Sequence, residues 1–226
     1  EVAGRIDEAL TPGRRERGFH GSIATIFGGA VAAGTLLKLT QGQMTQAIAL
    51  AATSIGGLGV AANTSIAREY HAGLSALLGI NAALAAHKGF VAEERVLEMP
   101  LGFFSAYGGD HLEDVTKDFG KVWDITTDMA IKLVPGGHPH HATAEAAANA
   151  AIAGNVNPAD VASIMVSAPK YRTLSGPAHP ADLIGVAHSP TYFLAAAVAD
   201  RGYGWIHASP AKVADPVIGQ LIDKVT

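Results

Sequence analysis

The run IATIFGGAVAAGTLL, Ile23 to Leu37, does most to limit what this chain can become. It is apolar almost throughout, yet shorter than the roughly 20 residues a bilayer crossing needs, and it carries Thr25 and Thr35. A buried core helix satisfies both facts, and Ser22 stands where a helix cap is expected. The text onward to Lys88 keeps the same style, rich in Ala, Gly and Leu. Thr40 followed by Gln43 fits a capping box, with Met44, Ile48 and Ala51 recurring behind it. A third helix is expected from Ile66 to His87, stopped by Gly89. So many small residues let helix axes approach closely, which predicts a compact bundle of layered helices.

From Phe90 to Asp128 the text is more broken, and EMPLGFFSAYGGDH has the Gly and Pro punctuation of loops and short helices. Around Asp128 the period changes to two. In DMAIKLV, Met129, Ile131 and Leu133 alternate with Lys132 on the other face, the pattern of a half-buried strand. A helix is expected from about His141 to Ala153, and VASIMVSA (Val161–Ala168) reads as a second strand. SPTYFLAAAVADRG and SPAKVADPVIGQLIDKV read as helices capped by Ser189 and Ser209. Helices first, then strands mixed with helices, predict a mainly α fold with a smaller α+β domain, divided into residues 1–127 and 128–226.

The chain has 226 residues, 49% hydrophobic and 16% charged, enough to bury a sizeable core. Its net charge of −4, with no run of lysines or arginines, argues against a nucleic-acid surface. An anionic substrate would therefore have to be attracted by a local cluster. The absence of cysteine removes disulfide frameworks, thiolate metal sites and cysteine nucleophiles. It also suits the cytoplasm, the expected location, and no charged-then-apolar leader opens the sequence. Glu1 begins what reads as the middle of a helix, so a piece of a longer polypeptide is expected.

Candidate chemistry concentrates in four places. In KLVPGGHPHHATAEAA, His138, His140 and His141 are too close along the chain to converge easily on one metal ion, and Pro139 stiffens them further. Two of them with a distant carboxylate would still make a site. Proton transfer fits better: His141 and Glu145 share a helix face, so the carboxylate could orient the ring. Gly136 and Gly137 allow close approach of a ligand, and Lys132 adds a cation. The plain alternative is a solvated strand–turn–helix joint. In RGFHGS, His20 stands before the buried helix, where free backbone N–H groups gather. In NTSIAREYHAG, Arg68, Tyr70 and His71 open an apolar helix; the plain alternative pairs Arg68 with Glu69 and packs Tyr70 in the core. In APKYRTLSGPAHP, Tyr171 and Arg172 follow a strand end. GGLGVAAN superficially suggests a dinucleotide turn, but the glycine spacing is wrong and no strand precedes it.

The ordered set EVAGRI, RGFHGSIATIFGGAVAAGTLLKL, REYHAGLSALLGINAALAAHKGF, VLEMPLGFFSAYGG, IKLVPGGHPHHATAEAA and HSPTYFLAAAVADRG resembles the MmgE/PrpD family. That family includes 2-methylcitrate dehydratases, cis-aconitate decarboxylases and iminodisuccinate epimerases. The resemblance implies a helical domain, an α+β lid, an active site in the cleft between them, and usually a homodimer. It also implies small di- or tricarboxylate substrates and no metal or organic cofactor. Carried over by position, His20 matches the histidine of the family's GFHPT stretch, and Arg68 falls where many members have the lysine of TKPLH. His71 matches the histidine of that second stretch. Lys132 matches the lysine at the entry to the lid, His141 a recurrent lid histidine, and Tyr171 falls near a lid tyrosine. The expected catalytic set is His20, Lys132 and His141, with Arg68, His71, His138 and Tyr171 binding substrate. The expected activity is a hydro-lyase on a hydroxylated carboxylate such as 2-methylcitrate; decarboxylation or epimerisation on the same scaffold, or a non-catalytic helical dimerisation fragment, are the alternatives. The departures are the missing proline after His20, Arg68 in place of lysine, and no counterpart of the family's DFDD segment or its nearby histidine–proline pair. Neither nucleic acid nor membrane is an expected partner.

Overall fold

The computed structural model describes residues 1–54, 56–167, 174 and 176–226, and the chain divides into two units, Glu1–Met129 and Ala130–Thr226. The first contains α1 (Val2–Ala9), α2 (Gly13–Glu16), α3 (Ser22–Leu36), α4 (Gln41–Ala52), α5 (Gly59–Thr64), α6 (Ala67–His87), α7 (Phe103–Tyr107) and α8 (Asp124–Thr127). The apolar run becomes α3, whose Ile23, Ile26, Phe27 and Ala30 sit in a core with Ile6, Leu10, Phe103 and Phe104. Phe27 meets Phe103 edge-on, with ring centres 4.9 Å apart.

Glycine decides how closely α3 and α6 pack. A β-carbon on Gly79 would lie 2.7 Å from the Ala30 nitrogen and closer still to the Ile26 carbonyl oxygen. One on Gly29 would lie 2.8 Å from the Ala76 carbonyl oxygen. Each helix thus presents a glycine to the other's backbone. The expected capping box forms: the Gln43 N–H donates to Thr40 Oγ1 at 3.3 Å, and the Thr40 N–H donates to Gln43 Oε1 at 3.0 Å. Ser22 instead becomes the first helical residue, with Gly21 in the capping position.

Arg5 gathers the broken stretch beyond residue 110. Only 3% exposed, it donates to the carbonyls of Asp114, Lys117 and Val122 and pairs with Glu1 at 2.7 Å and Asp124 at 3.2 Å. Its guanidinium also lies 5.3 Å from the centre of the Phe119 ring. Several partners around one planar cation satisfy the charge that burial would otherwise make costly.

The second unit contains α9 (His141–Ala153), α10 (Leu183–Ala187), α11 (Pro190–Asp200), α12 (Pro210–Val213) and α13 (Pro216–Ile222). α11 is its axis, buried from Pro190 to Val198 and packed on α9 and α13. Ser189 caps α11 by accepting from the Tyr192 N–H at 3.1 Å, and Ser209 caps α12 by accepting from the Lys212 N–H at 3.4 Å.

The expected α+β lid is not what the structure shows: among the described residues this unit has no β-strand. In 128–134, Met129, Ile131 and Leu133 are 59%, 78% and 82% exposed, because no neighbouring strand or core lies under their shared face. In 161–167 the alternation sorts side chains as expected, with Ile164 buried and Met165 exposed. The backbone makes only one isolated parallel bridge, Ile164 to Val225. Two-periodicity fixes which side a residue takes, but a ladder needs a partner of comparable length.

Candidate active site

His20 is placed by a short backbone pairing rather than by a helix. Phe19 and Leu58 form an antiparallel bridge, the Gly59 N–H donates to the Gly18 carbonyl at 2.8 Å, and the His20 N–H donates to the Gly57 carbonyl at 3.0 Å. Phe19 anchors the pairing against Tyr107, with ring centres 4.9 Å apart. Behind it, Arg14 pairs with Asp7 and reaches the Phe19 carbonyl at 3.5 Å.

This pairing carries His20 to the first turn of α6. His20 Nε2 lies 3.4 Å from Arg68 Nη2, across 48 residues of sequence. On the other side of the ring, Nδ1 accepts from the Ser22 N–H at 3.2 Å and lies 3.3 Å from Ser22 Oγ. A guanidinium only donates, so the nitrogen facing it must present its lone pair. The Ser22 N–H donates to Nδ1 as well, so donors face both ring nitrogens, an arrangement that opposes the doubly protonated ring. Burial, then the positive charge of Arg68, holds His20 below the ordinary histidine value, with Arg14 acting the same way and Asp7 opposing it.

His71, one turn further along α6, completes the cluster. Its Nδ1 is buried without a hydrogen-bond partner. Gly57, at φ +138, fits between: a β-carbon there would stand 2.8 Å from Ser22 Oγ and 3.9 Å from His71 Nδ1. Within the glycine-rich stretch discounted as a nucleotide turn, Gly57 therefore serves as packing space beside Ser22 and His71. Sequence reasoning did not single out Ser22 for chemistry or Gly57 for this fit. The signal within reach was a hydroxyl two residues after His20, close enough to meet its ring. The surface pair of Arg68 with Glu69 and the buried Tyr70 are both replaced: Arg68 turns to His20, and Tyr70 is 67% exposed.

The chemistry open to this group is that of a neutral base beside a fixed cation. A substrate carboxylate can meet Arg68 while Nε2 takes a proton from the adjacent carbon. The lowered value also links to stability. As pH falls below about 6.5, the unfolded chain takes up a proton that folded His20 resists. The first unit is therefore expected to lose stability from about pH 6.5 down through the folded value. Arg68→Ala should narrow that loss, which urea midpoints against pH will measure.

The second unit carries the remaining candidates. Lys132 is exposed and its Nζ donates to the Gly136 carbonyl at 2.9 Å, closing its own turn. Gly136, at φ +91, leaves room for the Phe193 ring, whose Cε2 would be 2.9 Å from a β-carbon there. His138 is exposed and opens a 3-10 turn, with its ring centre 5.1 Å from that of His141. His141 stacks on Phe193 at 6.2 Å, and its Nε2 is buried with no partner. Glu145 is exposed and does not orient that ring, contrary to the helical-spacing expectation. Burial in the first place, then His188 and His141, lowers His140, whose ring lies 5.3 Å from Phe193. Tyr171 lies outside the described residues.

Two concavities lie elsewhere. One of about 570 Å³ is lined by Arg17, Glu98 and Asp110 among others, and one of about 580 Å³ by Ala147, Ile164, Met165 and Leu194 among others. Among the described residues, no three His, Asp or Glu side chains converge as a metal ion would require, and no helix is long and apolar enough to cross a membrane. Residues 1–114 match the family model of the MmgE/PrpD N-terminal domain, a span that contains His20, Ser22, Gly57, Arg68 and His71. No curated protein matches the chain significantly.

Proposed function

The chain belongs to the MmgE/PrpD family, and we propose that it serves a hydro-lyase reaction on a small hydroxylated di- or tricarboxylate such as 2-methylcitrate. The observation that supports this reading is His20 Nε2 at 3.4 Å from Arg68, on a ring whose basicity is lowered by burial and by that cation. In the proposed reaction Arg68 holds a carboxylate, and His20 removes the proton from the carbon next to it. The electron pair left behind spreads onto the carboxylate as an enolate-like charge, which Arg68 stabilises. That pair then forms the alkene as the β-hydroxyl leaves with a proton from an acid, for which His141 is the candidate. Lys132, His71, His138 and Tyr171 take carboxylate- and hydroxyl-binding roles in the same proposal, and no cofactor is assigned to it.

Incubation of the protein with 2-methylcitrate, citrate and cis-aconitate, following alkene absorbance and carbon dioxide together, tests this reading. Alkene formed from either hydroxy acid without carbon dioxide is the expected result. Carbon dioxide from cis-aconitate would replace dehydration by decarboxylation, and no reaction with any of the three would remove the assignment. Lys132→Ala is expected to weaken carboxylate binding about tenfold or more, the scale of one charge-assisted contact. Titration calorimetry with citrate checks this, and an unchanged affinity would return Lys132 to closing its own turn.

A further inference from the structure

His20 stands in a stretch with little stiffness of its own. Gly18, at φ +84, and Gly21 lie on either side of it, and neither carries a β-carbon to restrict the backbone. One side-chain pair closes on both flanks. Arg14 of α2 and Asp7 of α1 meet fork to fork, with Nε donating to Oδ1 and Nη2 donating to Oδ2 at 2.7 Å. The Arg14 carbonyl accepts from the Phe19 N–H at 2.9 Å, and its Nη1 reaches back to the Phe19 carbonyl at 3.5 Å. On the far side of His20, a β-carbon on Gly21 would stand 3.3 Å from Arg14 Nη2 and 3.4 Å from Asp7 Oδ1. The pair therefore bonds to the residue before His20 and lies directly against the residue after it. Its side chains are 16% and 33% exposed, whereas the neighbouring Arg15 and Arg17 are turned to solvent.

We propose that Arg14, locked by Asp7, is the positioning residue that holds His20 Nε2 against Arg68. The fork fixes the guanidinium plane, the guanidinium fixes the backbone on both sides of His20, and the ring follows. The pairing of residues 18–20 with 57–59 holds one edge of this turn, and α1 and α2 hold the other through Asp7 and Arg14. Arg14 thus acts through His20 rather than on a substrate. A base misplaced by about 1 Å can lose about 10²-fold in rate, so the effect falls on turnover. That catalytic consequence rests on the hydro-lyase reading; the geometric one does not. Charge adds a signature. Beyond burial, which lowers the basicity of the ring most, Arg68, Arg14 and His71 lower it and Asp7 raises it. A change at either member of the pair therefore has a sign of its own.

Arg14→Lys tests the proposal, because it keeps the charge and removes the planar fork. Without substrate, the amide order parameters of Gly18 to Gly21 should fall from about 0.85 towards about 0.6, with helical circular dichroism unchanged. With 2-methylcitrate or citrate, kcat should fall about tenfold while KM stays within about twofold. Two further variants separate positioning from simple bracing of the fold. Asp7→Asn should move the His20 titration downward and Arg14→Gln should move it upward, read from the ring nitrogens of the intact protein. Bracing alone predicts lower urea midpoints with the 18–21 amides and the His20 titration unmoved, and that result overturns the proposal. Undiminished kcat in Arg14→Lys overturns it too. If the parent protein turns over none of the acids, the hydro-lyase reading falls, and the amide and titration measurements still decide the positioning role.

Discussion

Gly79→Ala should cost the first unit about 3 kcal/mol of stability, although alanine is the better helix former by about 1 kcal/mol. The cause is local and has no easy relief. The added methyl would meet the Ile26 carbonyl and, at 2.7 Å, the Ala30 nitrogen, both backbone atoms of α3. A side chain could rotate away, but a helix backbone can only translate. Moving α3 outward would open gaps beside Ile26 and Phe27, which are 1% and 0% exposed. Gly4→Ala in α1 is the matched control, since nothing lies within 4 Å of the added atom. It should stabilise by about 0.5–1 kcal/mol. Urea denaturation of both variants measures the contrast. Equal midpoints would mean that α3 and α6 do not approach as closely as described.

His20→Gln should lower turnover about 10²- to 10⁴-fold, the usual worth of a positioned acid or base, with little change in folding. Glutamine can still meet Ser22 but has no atom of comparable basicity to offer beside Arg68. The companion measurement needs no substrate. In the intact protein near pH 7, long-range nitrogen–proton correlation should show a neutral His20 ring with one bare nitrogen. Its titration should lie below that of an ordinary histidine. Arg68→Ala should move the titration upward, towards about 6.5, because the second-largest lowering influence is removed. Undiminished turnover in His20→Gln would end its catalytic assignment. A doubly protonated ring near pH 7 would end the neutral-base argument even if turnover fell.

Much of this architecture is legible along the chain because it is written in local intervals. The ends of α6 and α9, the box at Thr40 and the caps at Ser189 and Ser209 each depend on groups three or four residues apart. The glycines of α3 and α6 announce close helix packing, but not which glycine meets which carbonyl. The strands were misread for the complementary reason. Alternation in 128–134 and 161–167 records two faces, while pairing depends on a neighbour whose presence the segment itself does not encode. Arg5 shows the same limit: nothing in EVAGRIDEAL signals that its guanidinium will collect three carbonyls from beyond residue 110.

The site divides along the same line. The sequence by itself determined that His20 precedes a buried helix, that Arg68 and His71 share the first turn of another, and that residues 1–114 carry the family's N-terminal pattern. Only the tertiary structure decided that these fall into one cluster, that Ser22 and Gly57 belong to it, and that Glu145 does not support His141. The physical reason is range. Helix periodicity and capping are set by neighbours a turn away, whereas the basicity of one imidazole is lowered by burial and then by a cation 48 residues distant, delivered by the pairing of residues 18–20 with 57–59.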